Sequence, residues 1–572
     1  MIRLPFKTWS ADFEYSTDSN SNPVPICMVA REINSGTLVR IWLWDDPPAD
    51  CPLDLRGALY VAYNVSAEMC CHQKLGWKKP PCLLDLYAEF CAEKAGKSAQ
   101  RKRLLDACRC YGIATIADDE KNDMQSLCIR GGPYTDTEKS AILDYCQSDV
   151  DATAELLRAM WPTIDFQNAL WRGDYGWAVA ATERAGIPID VERLEFLTGV
   201  WEEIKSDLTR AVDVNYGVYN GETFKQGKFA AWVQARGIAW PRRKDGKLCL
   251  KRTTFSDMAK RHPIVRPLHE LRKTVSGLHI ADLPVGADGR NHFSVMPFAS
   301  KTGRNQPGGR KFIFAGPKWL RFLIKPGPGR SLAYVDWSAQ EFGIAACLCG
   351  DENMIASYRE PDPHIAFAKF AGAVPEDATK RSHPAERRAY KVANLGILMG
   401  MGVTGLTSRL DGDSYRAAKI LGDHRRVYPA YWQWSDDNVN HYLSKNTLLG
   451  RMGWPLHYGR ETKSLTARNF KLQANGAEMM RLAAIAIAAK GITINAIVHD
   501  AFLVEADTDE IGEVVASVQQ SMAEASAVIT GGPPLKSEAQ IFSYPDRFTE
   551  EDGAEMWRIV NGLAAGIRRR LG

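Results

Sequence analysis

The chain has 572 residues, 45% of them hydrophobic and 24% charged, which is the balance of a soluble globular protein with room for several cores. A net charge of +4 neither demonstrates nor forbids nucleic-acid binding, because a basic groove can be balanced by acidic sites elsewhere. Its 13 cysteines include no Cys-x-x-Cys pair, which argues against a zinc ribbon and for free thiols in a reducing cytoplasm. The opening Met-Ile-Arg-Leu-Pro-Phe-Lys has no signal-peptide core, and the longest apolar run, Leu482–Ala489, is too short to span a bilayer.

In chain order, residues 1 to about 165 read as α/β. Strand alternation over Trp9–Tyr15 sets Asp12 and Glu14 on one face. Strand patterns follow at Pro25–Ala30, Leu38–Trp44 and Leu59–Asn64, and a helix begins near Ser66 and carries Glu68. Ala141–Ala152 is a helix pattern on which Tyr145 and Asp149 share a face. Residues 190 to about 285 are helical and basic, with clusters such as Arg242-Arg-Lys244 and Arg272-Lys273 that are ordinarily solvated faces.

After Pro-Gly-Pro-Gly-Arg330, the run Ser331–Val335 reads as a buried strand that delivers Asp336 to its end, and a helix carrying Glu341 follows. Taken singly, Asp336 would serve equally as that helix's N-cap. Farther on, Arg387, Lys391, Leu395 and Met399 recur every four residues, on one slowly drifting helix face. Two cations in line suit a triphosphate and the apolar pair suits a base or sugar, although spacing alone fits a solvated basic helix end as well. Ile492–Val498, then His499-Asp500, then Ala501–Glu505 read as a hairpin with Asp500 at its tip. If the two acidic strand tips converge, they could hold two divalent cations about 3.5–4 Å apart, as phosphoryl transfer uses.

These stretches resemble the motifs of the family A DNA polymerases, the group of bacterial DNA polymerase I. The family's Asp-Tyr-Ser-Gln-Ile-Glu reads here Asp336-Trp-Ser-Ala-Gln-Glu341, and its Val-His-Asp-Glu reads Val498-His499-Asp500-Ala501. Its Arg-x-x-x-Lys-x-x-x-Phe/Tyr-Gly-x-x-Tyr-Gly runs here from Arg387 to Gly400, with Leu395 and Met399 in the aromatic places. Asp12-Phe-Glu14, Asn64-Val-Ser-Ala-Glu68 and Tyr145-Cys-Gln-Ser-Asp149 resemble the DEDDy-type 3′→5′ exonucleases, with glutamate at 68 where aspartate is usual.

The resemblance implies an α/β and α+β multidomain chain: an RNase H-like 3′→5′ exonuclease domain and then a right-hand polymerase, phage type, with no 5′-nuclease domain. The implied division is exonuclease 1–165, thumb 166–290, palm 291–345, fingers 346–430 and palm again 431–572. In the polymerase site, Asp336 and Asp500 would hold two Mg²⁺, with Mn²⁺ as a substitute. Lys391 would act on the α-phosphate and the leaving pyrophosphate, and Arg387 and His364 would hold the outer phosphates. Glu341 would exclude a 2′-hydroxyl. Met399, lacking the tyrosine hydroxyl of the family, should leave Glu341 loosely held. Leu395, Arg304 of Thr302-Gly-Arg304, Asn469, Gln473 and His499 would line the nascent pair. In the exonuclease site Asp12, Glu14, Glu68 and Asp149 would hold two further ions, and Tyr145 would orient the attacking water. The partners implied are primer-template DNA, dNTPs and replisome accessory proteins, for a monomer in the cytoplasm (the host's, if phage-encoded). The alternative is a 3′→5′ exonuclease or repair nuclease with weak polymerase activity.

Overall fold

The computed structural model describes residues 3–97, 102–276, 280, 283–309, 311–410, 412–459 and 464–571. It is a mixed α/β multidomain molecule built on two main sheets. The first has strands β1 (Thr8–Thr17), β2 (Pro23–Glu32), β3 (Leu38–Trp42), β4 (Leu59–Ala62) and β5 (Cys82–Asp85), in the order β3-β2-β1-β4-β5. The first three form an antiparallel meander, and β4 and β5 run parallel to β1. β1 and β2 are buried because the Asp136–Met160 helix lies across them. Thr135 starts that helix with a capping box closed by Glu138. Ser10 Oγ donates to Val150 O at 2.9 Å and ties the helix to β1.

The second sheet has four antiparallel strands, Thr493–Val498, Ala501–Asp507, Arg330–Trp337 and Ser537–Ser543, in that order. The Ser464–Ala489 and Ile511–Thr530 helices pack together beside it. Residues 201–275 make a smaller helical body with an aromatic core of Phe229, Trp232, Trp240 and Phe255. The C-terminal Glu551–Leu571 helix packs on the Trp201–Asp213 helix of that body. Among the described residues no helix is long and apolar enough to cross a membrane, and no disulfide links the cysteines.

One helix joins the two sheets. Phe166–Ala185 packs on β5 and the Val65–Lys74 helix, and also on the Ser464–Ala489 helix and the Thr493–Val498 strand. Arg172 lies buried on it, donating through Nε and Nη2 to Glu89 at 2.6 and 2.8 Å, with Nη1 3.4 Å from Met452 O. Such a fork-to-carboxylate pair is geometrically demanding and costly to break from one side. Gly173 is required where the helix crosses β5: a Cβ there would lie 2.0 Å from Leu83 O.

Candidate active sites

The central site begins with strand pairing. Asp336 is the penultimate residue of the Arg330–Trp337 strand, and its cross-strand partners are Ala501 on one side and Glu538 on the other. The following helix, Gln340–Cys349, is entered through Ala339 in the left-handed region (φ 50°), so Asp336 is not its cap. His499 and Asp500 form the two-residue tip of the neighbouring hairpin, His499 with φ 52°. Trp337 N donates to Asp500 O at 3.2 Å, which clamps the tip beside Asp336. The two carboxylates are thus brought together by one ladder. Burial, then Asp500, then Glu538 push Asp336 up to about 6. Burial also raises Asp500, opposed by its own backbone N–H, His499 and Arg304.

Across the cleft stands the Pro384–Leu398 helix, from which Arg387, Lys391 and Leu395 face Asp336 and Asp500. Asp362 caps the Pro363–Phe370 helix by accepting from His364 N and Ile365 N, and its second oxygen accepts from Arg387 Nε at 2.6 Å. That pair aims the guanidinium into the cleft. His364 lines the same wall, buried against Asn394, and burial with neighbouring Lys391 and Arg387 lowers it to about 4, against the opposing pull of Asp362. It is neutral at physiological pH and offers a hydrogen bond rather than a charge. A carboxylate wall facing a cationic wall fits metal-bound phosphates held between them.

Glu341, in the first turn of its helix, accepts from Arg304 Nη2 at 3.3 Å. Burial raises its carboxyl, and the Arg304 charge opposes that. Arg304 is itself fixed by a bond from its backbone N to Ser300 Oγ at 2.8 Å. The preceding Gly303 has φ 72°, and a Cβ there would meet the Trp454 indole at 2.9 Å.

The N-terminal site is built from β1 and two helices. Alternation on β1 brings the Asp12 and Glu14 carboxylates together, and their oxygens and Cys146 Sγ lie within 4.8 Å of one another. Tyr145 and Asp149 come from the Asp136–Met160 helix. Glu68 comes from the Val65–Lys74 helix, entered through Asn64 at φ 84°. Burial raises all four carboxyls, Asp12 to about 8, with Asp149 adding its charge and Lys121 and Cys146 opposing. Glu68 is 3% exposed, and its Oε2 has no hydrogen-bond partner among the described residues. Glu68 stands apart from the Asp12–Glu14 pair, with Asp12 and Asp85 as its charged neighbours. An orphaned, buried carboxylate oxygen near another carboxyl fits a cation, which would remove both the desolvation cost and the repulsion.

The DNA polymerase family A profile matches residues 245–541. The chain belongs to DNA polymerase family A. It is 26% identical to the thermostable DNA polymerase I of Thermus thermophilus over 306 residues, which are 49% of this chain and 36% of that protein. It is 24% identical to the DNA polymerase I of Aquifex aeolicus over 64% of each chain. To the DNA polymerase of Mycobacterium phage D29 it is 23% identical, over 42% of this chain and 39% of that one. The matched part thus spans only about a third of the Thermus relatives' length. In fold, the chain is similar to the POL domain of Pol1 from M. smegmatis, solved in complex with DNA primer-template and dNTP. The TM-score is 0.71 at 19% identity, covering 96% of this chain and 97% of that one.

Several features of this family A chain escape sequence reasoning. Met399 ends the Pro384–Leu398 helix as its C-cap and takes a contact from Gln473 Nε2 to Sδ at 3.6 Å, so it holds no part of Glu341. Arg304 holds Glu341 instead. Gln473 and His499 line a second cleft with Arg304, whereas Asn469, one turn earlier on the Ser464–Ala489 helix, is half-buried and outside that lining. Glu538 and Lys121 were not found in the sequence at all. Glu538 faces Asp336 from the next strand. Lys121 enters the N-terminal cluster from the Asp118–Arg130 helix, its Nζ 2.5 Å from Asp149 Oδ2.

Proposed function

We propose that this chain is a template-directed DNA polymerase with a proofreading 3′→5′ exonuclease, of the kind that replicates phage-type DNA. The observation that carries the polymerase half is the pair Asp336 and Asp500, clamped on adjacent strands opposite Arg387 and Lys391 in a family A chain. The exonuclease half is supported by the Asp12–Glu14 pair, with Asp149 and Tyr145 interacting with it and Glu68 neighbouring Asp12. The division proposed is exonuclease 1–165, thumb 166–290, palm 291–345 and 431–572, and fingers 346–430. The substrates proposed are primer-template DNA and dNTPs.

Divalent cations, Mg²⁺ or Mn²⁺, would be held by Asp336 and Asp500 at one site and by the four N-terminal carboxylates at the other, and at both they supply activation of the attacking oxygen and neutralisation of phosphate charge. The residues of the chain do the rest. Arg387, aimed by Asp362, and His364 hold the outer phosphates. Lys391, one turn on, stands at the α-phosphate and gives a proton to the leaving pyrophosphate. Glu341, set by Arg304, fills the space a 2′-hydroxyl would need. Leu395 packs on the incoming base and sugar. Gln473 and Arg304 meet the primer-end pair through the minor-groove acceptors that every base pair presents. At the N-terminal site the Tyr145 hydroxyl orients the attacking water.

The test is primer extension with dNTPs or rNTPs, with and without Mg²⁺, beside degradation of a 5′-labelled single strand. Metal-dependent extension with dNTPs and trimming from the 3′ end is expected. Trimming without extension would instead favour a repair nuclease.

A further inference from the structure

We infer that Lys121 is a working member of the N-terminal site: its ammonium stands in for a metal ion at Asp149 until one binds, and then turns to the scissile phosphate. This rests on the exonuclease reading of that site. Three observations carry it.

The first is position. Lys121 Nζ lies 2.5 Å from Asp149 Oδ2 and 5.5 Å from the centre of the Tyr145 ring. It therefore touches the two residues that the Asp136–Met160 helix contributes. Lys121 also lines the same cleft as Asp12 and Asp149, along with Tyr15, Tyr63 and Arg103. The cation thus sits at the meeting point of carboxylates, tyrosine and substrate path.

The second is burial. The Lys121 side chain is 16% exposed and that of Asp149 is 11% exposed, so the pair is not a surface ornament. Solvated ion pairs contribute little, whereas one held out of water is strong and must be exchanged for something. The ammonium on Asp149 Oδ2 competes with a metal for that oxygen, so a metal that binds there exchanges with Lys121.

The third is anchorage. The Asp118–Arg130 helix that carries Lys121 is mostly exposed, and Cys128 is its one buried residue. It opens with Asp118, Asp119 and Glu120, and it is docked through Met124, Leu127 and Cys128 on a core cluster with Ile26, Cys27 and Val29. The helix is therefore held independently of the lysine. Displacement of Nζ leaves that docking in place and a cation beside the phosphate, where charge accumulates as water attacks.

The experiment uses the full chain with Lys121→Met, which keeps the aliphatic stem, and Lys121→Arg, which restores the charge. Mn²⁺ binding is followed by electron paramagnetic resonance of the free ion. Hydrolysis of a 5′-labelled single-stranded oligonucleotide is measured at saturating Mn²⁺, and primer extension serves as the folding control. Lys121→Met should bind Mn²⁺ at this site about tenfold more tightly, within the range by which outer groups tune metal affinity. Its hydrolysis should nevertheless fall by roughly 10²-fold, the scale of losing one charge-stabilising donor. Lys121→Arg should recover most of that loss. A purely structural role would lower both quantities together. Mn²⁺ affinity that stays level or drops in Lys121→Met, or hydrolysis that does not fall, overturns the inference. The Asp12→Ala chain separates the two layers of the argument: if it keeps full hydrolysis, the exonuclease reading itself fails, whatever Lys121 does.

Discussion

The two acidic sites solve one problem, gathering carboxylates, in opposite ways. The central site takes Asp336 and Asp500 from adjacent strands of one sheet, with Glu538 on the flank, and leaves them open to a cleft whose far wall carries Arg387 and Lys391. Its counter-charge is remote and belongs to the substrate's path. The N-terminal site takes its carboxylates from a strand and two helices, buries Glu68 and Asp149 while leaving Asp12 and Glu14 half-buried, and brings its own cation, Lys121, to Asp149. Hence burial and crowding push Asp12 to about 8 but Asp336 only to about 6. On the proposed reading, the site that would admit a large, charged nucleotide is neutralised from across a gap, and the site that would admit one strand end carries a neutralising cation within it.

The comparison breaks most sharply if either site depends on the other. Asp500→Ala should lower extension by roughly 10³-fold or more and spare degradation, and Asp12→Ala should do the reverse. Primer extension and single-strand trimming by both proteins check this, and loss of both activities in one folded variant would merge the two sites into one. Next in size is the sugar pocket of the open site. Leu395 gives no polar partner to replace a missing 3′-hydroxyl, so dideoxynucleotides should be rejected, and Leu395→Tyr should relax that rejection by about 5- to 150-fold. Single-nucleotide insertion in the Asp12→Ala background measures it, with equal use of ddNTP and dNTP by the Leu395 chain as the failing result.

Because Arg304 and not Met399 holds Glu341, the same assay should show Arg304→Ala admitting ribonucleotides roughly tenfold more readily, the scale of one charged hydrogen bond, while Met399→Leu leaves the dNTP/rNTP ratio unchanged. A ratio that responds to Met399 and ignores Arg304 would reverse the assignment. The N-terminal site should be visible in stability. Asp12 is raised from an ordinary 3.8 to about 8, so between these values the folded state binds a proton that the unfolded chain has released. Stability without metal should therefore fall as pH rises from about 4 to about 8, and added Mg²⁺ should reverse the fall. Thermal melts of the wild-type and Asp12→Asn chains with and without Mg²⁺ test this, since the substitution should flatten the slope. Smallest of all, Ala501→Glu should alter extension by less than about tenfold, because Glu538 already flanks Asp336. In denaturant melts it should also destabilise the fold, because Ala501 is fully buried and the added carboxylate lies directly opposite Asp336.

Much of this was legible in the residues. Alternation gave Asp12 and Glu14 their common face, and β-branched runs around His499-Asp500 gave the hairpin and its tip. Four-residue spacing placed Arg387, Lys391 and Leu395 on one wall. What stayed hidden has physical reasons. The Ser537–Ser543 strand is exposed along most of its length, so no hydrophobic period marks it, and Glu538 looked like any surface glutamate. The Asp118–Arg130 helix is mostly exposed, with only Met124, Leu127 and Cys128 turned to the core, and its Lys121 is found only by its neighbours. Arg304 and Glu341 meet through a turn fixed by Gly303 and Trp454, a contact between distant segments that no local pattern encodes.

The Phe166–Ala185 helix, locked to β5 through Gly173 and to Glu89 through Arg172, ties the two acidic sites together at a set spacing. On the proposed reading, traffic between building and trimming would then fall to the nucleic acid: a strand end would reach the second site by peeling away from its template. The proportion of errors removed would be set by how readily the last few base pairs melt, with the protein as the ruler against which that fraying is measured.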